Sequence, residues 1–168
     1  FCIVPKKEGK YQPWQHPKEW VRHDKAKLLD NNWYANPDWF FETSQWFIDN
    51  NIAVDLTQGM DIRLLTDEIA VQLAKLKFWN PIHFAFDDDK EEKAVLDGIQ
   101  LLKDAGMEKR LKQDIMFYVY CHDDKHYESA VNRCRILKDA GTNAFVMANI
   151  DHPRSTRVKH LQRWANRK

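Results

Sequence analysis

Side chains able to bind a polar ligand collect where apolar runs end. Asp30, Asn31 and Asn32 follow KAKLL, Gln58 and Asp61 follow AVDL, and Asp87 follows IHFAF. Cys121, His122 and Asp123 close IMFYVY, Asn149 and Asp151 follow NAFVMA, and Arg63 stands two residues beyond Asp61. A guanidinium fork suits a carboxylate, and carboxylate with imidazole suits a divalent cation. Each cluster precedes a helical pattern, and α/β proteins bind ligands at the carboxyl ends of their strands. The clusters read as one site assembled from several strand ends.

The elements that must position these groups follow from the apolar spacing. Strands are predicted near 26–30, 52–57, 81–87, 114–121 and 143–149, with helices from Asn36-Pro37 to Asn50-Asn51, at 66–77, 89–105 and 125–140, and from Ser155 onward. Trp39, Phe40, Thr43, Trp46 and Phe47 form the inward face of the first of these helices, and Ala94, Val95, Ile99 and Leu102 that of the third. Ala130, Val131, Cys134 and Leu137 do the same in the fourth, and Val158, Leu161, Trp164 and Ala165 in the last. LKDAG recurs at 102–106 and 137–141, so Gly106 and Gly141 read as equivalent helix ends. Strand and helix alternate without interruption, which implies a parallel sheet with right-handed crossovers, as a barrel or an open sheet. One domain spans 1–168: a Pro-punctuated aromatic entry at 1–24, βα units at 25–151 and a basic C-terminal helix at 152–168.

Composition narrows the class. A chain of 168 residues, 43% hydrophobic and 30% charged, buries a sizeable core. Its formal charge of +1 provides no global field toward nucleic acid or membranes. No apolar stretch reaches the roughly 20 residues of a membrane helix, and no secretory pattern opens the chain, so a cytoplasmic protein is expected. Cys2, Cys121 and Cys134, odd in number and widely spaced, fit a reducing compartment. The opening Phe1-Cys2 reads as cut from a longer protein.

Phe1-Cys2-Ile3-Val4-Pro5 resembles the end of the C-x-x-x-C-x-x-C signature of radical S-adenosylmethionine enzymes, in particular the methylthiotransferase-like and phage-encoded kinds. The resemblance implies a partial TIM-type (β/α) barrel lacking its first strand, with five βα units corresponding to the second through sixth. It implies Cys2 as a ligand of a [4Fe-4S] cluster that, with S-adenosylmethionine, generates a 5′-deoxyadenosyl radical. Phe1, Asp30, Asn31, Asn32, Gln58, Arg63, Asp87 and Asn149 then stand at cofactor positions, with Asp-Asn-Asn where the family often has Gly-Gly-Glu. Asp61, Cys121, His122, Asp123 and Asp151 stand on the substrate side, and the substrate is not specified. With Cys2 the one recognisable cluster ligand, the chain alone is expected to be inactive.

Other readings stay open beside it. Asn31 and Asn32 suit a turn, Arg63 an ion pair with Asp61 or Asp67, Asp88 and Asp89 a helix cap, and Cys134 a core position. Asp30, Asp87, Asp88, His122, Asp123, Asp151 and His152 allow a divalent-metal hydrolase, and a non-catalytic α/β binding module is a further alternative. A receiver-type phosphoacceptor module lacks its Ser or Thr and its Lys at the required strand ends. Trp14, Trp20, Trp33, Tyr34 and Trp39 could stack nucleobases of RNA, with Arg154, Arg157, Lys159, Arg163, Arg167 and Lys168 on its phosphates. The first strand should also present a bare edge, open to self-association.

Overall fold

A computed structural model describes residues 15–149 and 155–166. Phe1, Cys2, Trp14, Asp151, His152, Arg154, Arg167 and Lys168 lie outside them. Helix α1 (Pro17–Trp20) leads to β1 (Lys25–Lys27), α2 (Pro37–Asp49), β2 (Ala53–Asp55), α3 (Asp67–Lys75) and β3 (Ile82–Ala85). Then come α4 (Glu92–Leu102), α5 (Leu111–Asp114), β4 (Ile115–Cys121), α6 (Tyr127–Asp139), β5 (Asn143–Ala148) and α7 (Thr156–Ala165).

The starts of the main helices are written in their caps. Asn36 accepts from Trp39 N–H ahead of Pro37, Thr66 from Ile69 N–H, and Ser155 from Val158 N–H. Gly106 (φ +94°) and Gly141 (φ +89°) hold the left-handed conformation at the two LKDAG ends. The helix expected to run to 105 instead turns π-helical at Lys103–Met107, and a short helical stretch at 108–114 precedes β4. β1 and β2 stop at Lys27 and Asp55, short of 30 and 57, because turns toward Trp33–Ala35 and Gly59 take the chain out of the sheet.

All strand pairs are parallel, β1 with β2, and β3 with β4 with β5. The two groups meet at bridges Val54 to Phe78 and Met60 to Phe84, with Met60 N–H donating to His83 O at 2.7 Å. Trp79, Asn80 and Pro81 interrupt the ladder there, and Pro81 has no N–H to give it. The fold is α/β with parallel strands ordered as in the chain; among the described residues the sheets do not close into a barrel. Right-handed crossovers between strands ordered this way place the helices on one face, and α2 packs on α3, α3 on α4, and α6 on α7.

That covered face is the core. Ile82, Phe84 and Phe86 from the β3 segment meet Ile115, Phe117 and Val119 of β4, with Val146 of β5, all completely buried. At α4, Gly98 lets the helix reach Ile62: a Cβ there would lie 2.4 Å from Ile62 Cγ1. Trp33 and Tyr34, read as possible base-stacking residues, are core instead. Each is 2% exposed; Trp33 Nε1 donates to Thr43 Oγ1 and Tyr34 OH to Asp61 O, so neither presents a free ring face. Trp164 corrects its expected inward place, standing half exposed with Lys138 Nζ 5.9 Å over its ring. No helix among the described residues is long and apolar enough to cross a membrane.

Candidate functional site on the uncovered sheet face

Alternation along each strand decides which side chains face away from the helices. In β4, Ile115, Phe117, Val119 and Cys121 are buried while Met116, Tyr118 and Tyr120 are partly exposed. The strand register extends this second row across the sheet. Lys27, Asp55, His83, Tyr118, Tyr120 and Phe145 lie on it, and Asp87, His122 and Asn149 continue it at the carboxyl ends. Asp55 and His83 are buried on this face, while Tyr118, Tyr120, Asp87, His122 and Asn149 are partly exposed. A parallel sheet is normally buried on both sides, so the partly open β4–β5 side of this polar and aromatic face is the candidate site.

Side-chain contacts fix the wall. The His83 ring stacks on Tyr118 at 4.7 Å, Phe145 meets Tyr118 edge-on at 5.9 Å, and Tyr118 OH donates to Thr57 O at 2.9 Å. Burial, with the charge of Asp55 second, raises the pKa of Tyr118, so it is the neutral phenol that stands here. At the rim, His122 Nδ1 lies 3.4 Å from Tyr120 OH and 3.3 Å from Asn149 Nδ2. Asp87 Oδ1 accepts Tyr120 N–H at 2.9 Å, and burial raises its carboxyl pKa, against the opposing effects of that bond and of Arg133.

From behind, on the helix side, Arg133 braces the same rim. Its guanidinium is 2% exposed, donates to Phe86 O at 2.6 Å and Tyr120 O at 3.0 Å, and pairs with Asp89 at 3.3 Å. It ties β3 to β4 just before Asp87 and His122 leave the sheet.

The strand-end residues read from the sequence therefore divide. Asp87, His122 and Asn149 share the uncovered face, Asp30 and Asn31 follow β1, and Asn32 Oδ1 accepts Asp61 N–H at 3.5 Å. Gln58 is exposed in the loop after β2. Cys121 is corrected from the substrate side to the core: at 1% exposed it falls in the helix-facing row, where burial raises its thiol pKa. Cys134 is core as expected, its thiol pushed up to about 12 by burial. Neither buried thiol fits a cluster ligand, which must be a thiolate; Cys2 is outside the described residues.

Asp123 caps the turn at Asp124–His126, accepting from Lys125 N–H and His126 N–H and pairing with His126 Nδ1 at 2.7 Å, which leaves little of it for substrate. Arg63 is likewise committed, its Nε and Nη2 each donating to Asp61 at 2.7 Å and its Nη1 to Glu91 at 3.2 Å. That fork holds the Asp61 carboxyl below the usual carboxylate range. The alternative ion pair with Asp61 is thus the observed one, and Arg63 is not available to a cofactor carboxylate. Asp88 caps the following turn in a capping box with Glu91, while Asp89 accepts Ser129 OH instead.

No group of three or more His, Cys, Asp or Glu side chains converges on a metal position among the described residues, so the hydrolase reading finds no ligand set there. Sequence reading overlooked Asp55, Tyr118 and Tyr120. Their signal was period two within runs taken as uniformly apolar: Tyr118 and Tyr120 alternate with Phe117 and Val119, and Asp55 interrupts AVDL. Comparison with known proteins finds no matching family, curated protein or solved structure.

Proposed function

We propose that the chain forms a partial (β/α) barrel of the radical S-adenosylmethionine type, its uncovered sheet face being the inside of that barrel. One observation carries the reading: parallel strands in chain order, helices on one face and polar groups projecting from the other, the arrangement a half-closed barrel requires. Asp30, Asn31 and Asn32 offer acceptors for the amino group of S-adenosylmethionine, Asp87 for its ribose hydroxyls and Asn149 for its adenine edge. His122 faces the substrate, and Cys2 is the cluster ligand in this chain. When bound, the [4Fe-4S] cluster and S-adenosylmethionine supply a 5′-deoxyadenosyl radical, and the protein orients them and excludes water.

Charge supports the assignment. Asp30, Asp87 and Asp88 mark the strand ends, while Arg63 and Arg133 nearby are neutralised by Asp61 and Asp89. A mouth of this sign favours a sulfonium cation over its uncharged analogue. Calorimetric titration is expected to show tighter binding of S-adenosylmethionine than of S-adenosylhomocysteine, with Asp87→Asn weakening it about tenfold. Absence of saturable binding, or Asp87→Asn binding as wild type does, overturns the reading. With Cys2 its one available cluster thiolate, the chain by itself is expected to load no intact cluster. A brown preparation containing equal iron and sulfide would contradict that.

A further inference from the structure

At the end of the sheet opposite the acidic mouth, the segments that lead into β4 and β5 border an open cavity of about 290 Å³. Lys103 reaches it from the π-helical turn after α4, Glu108 and Lys109 from the turn at 108–110, and Leu111 and Lys112 from α5. Ala140 and Gly141 close it from the turn into β5. The two LKDAG ends therefore meet here, the first supplying a lysine and the second a glycine. At Gly141 (φ +89°) an added Cβ would meet nothing within 4 Å, so no part of the protein fills the space beside this turn.

Charge around the cavity is unbalanced. Three lysines and one glutamate line it, and no carboxylate, Glu108 included, makes an ion pair with any of the three among the described residues. Neighbouring charges are committed elsewhere: Arg110 pairs with Asp114 at 2.6 Å and donates to Ala74 O at 3.1 Å, and Gln100 donates to Asp104 at 2.8 Å. Asp104 and Asp139 are not among the cavity walls. Helix ends do not account for the lysines either. Leu137 O and Lys138 O at the end of α6 accept Thr142 N–H and Gly141 N–H, and Lys109 and Lys112 follow no long helix of their own.

Lysines gathered around a cavity without counter-charges create a positive potential that an anion balances. Ammonium groups are point charges with rotatable donors, suited to the tetrahedral oxygens of phosphate, whereas a planar carboxylate is best met by an arginine fork. The volume exceeds a single inorganic anion and lies near the lower end, about 300 Å³, of small-molecule pockets.

We propose that this cavity binds a small phosphorylated organic molecule, its phosphate among Lys103, Lys109 and Lys112 and its apolar body on Leu111 and Ala140. The site uses none of the residues assigned to S-adenosylmethionine, so it stands or falls separately from the radical reading. Two-dimensional NMR of the chain titrated with phenyl phosphate at constant ionic strength tests it, with inorganic phosphate as the comparison.

The expected result is a saturable shift of the Gly141 and Lys112 backbone amide signals, with phenyl phosphate binding more tightly than inorganic phosphate. Lys109→Gln combined with Lys112→Gln, both at exposed positions, should weaken binding about tenfold with the rest of the spectrum unchanged. Lys112→Gln alone should weaken it several-fold, and serves if the double variant does not fold. Lys125→Gln, exposed at the carboxyl end of β4, should leave binding unchanged. Shifts that never saturate, equal affinity for the two phosphates, equal weakening by Lys125→Gln, or folded lysine variants binding as wild type does overturn the proposal.

Discussion

The two faces of one sheet follow opposite rules. Behind it, Phe84, Phe86 and Phe117 exclude water completely; in front, Phe145 is 37% exposed, and Tyr118 and Tyr120 hydrogen-bond and stack in partly open surroundings. Each strand thus carries a structural row and a functional row, offset by one residue. Cys121 and His122 are adjacent in sequence, yet one is core and the other faces the site.

The edges differ as well. Asn166 seals the β5 edge, accepting Val146 N–H at 2.7 Å and donating to Val146 O at 3.1 Å, while Gln162 donates to the same carbonyl. At the other end, β1 pairs with β2 alone among the described residues, and this short edge carries Lys25 and Lys27. Lysines on an edge oppose pairing between copies, since like charges would meet. Self-association through β1 remains a proposal that this pattern disfavours.

The largest difference between the faces should appear on truncating a ring. Phe117→Ala removes a fully buried ring between β3 and β5 and should cost about 3–5 kcal/mol by chemical denaturation. Phe145→Ala, in the partly open row, should cost less than about half of that. Equal costs would break the distinction between a structural and a functional row.

Sequence pattern made the covered face legible because burial follows apolar periodicity, and helix caps such as Asn36-Pro37 and Thr66 have local signals. The uncovered face was harder to read because its residues are chemically mixed. Tyr118 looks apolar in a run, and the partners of Asp55 come from Lys27 on the neighbouring strand and Asn80 in a distant loop. Arg63 shows the converse, since a strand-end guanidinium is spent on Asp61 two residues away. Arg133 was hidden in a helix whose charge pattern gives no hint that one arginine turns inward to two strand carbonyls.

A smaller loss tests how tightly the helix layer is pressed against its neighbours. Gly98→Ala places a methyl against buried Ile62, in the turn that also carries Asp61 and Arg63, and should destabilise by about 1–3 kcal/mol despite alanine's better helix propensity. A stabilised variant would mean that Ile62 yields and the layer is loose. Tyr118→Phe, on the uncovered face, removes the bond to Thr57 O and should cost about 1 kcal/mol while leaving the His83 stack in place.

The smallest effect is electrostatic and has a definite sign. Burial raises the folded-state pKa of Asp87 above its unfolded value, so the folded protein holds this proton more tightly than the unfolded chain does. The stability gained from that proton is complete below the unfolded carboxyl pKa and is lost as pH rises through the raised folded value. Asp87→Asn keeps an oxygen to accept Tyr120 N–H but carries no titrating charge. Between about pH 4 and about pH 7 the variant should therefore gain stability relative to wild type, by less than about 1 kcal/mol at this partly open rim. Denaturation midpoints of the two proteins across that range measure the difference directly. A variant that instead loses ground as pH rises would mean that Arg133 and the Tyr120 amide stabilise the carboxylate more than burial penalises it, making this rim an anchored anion like Asp61.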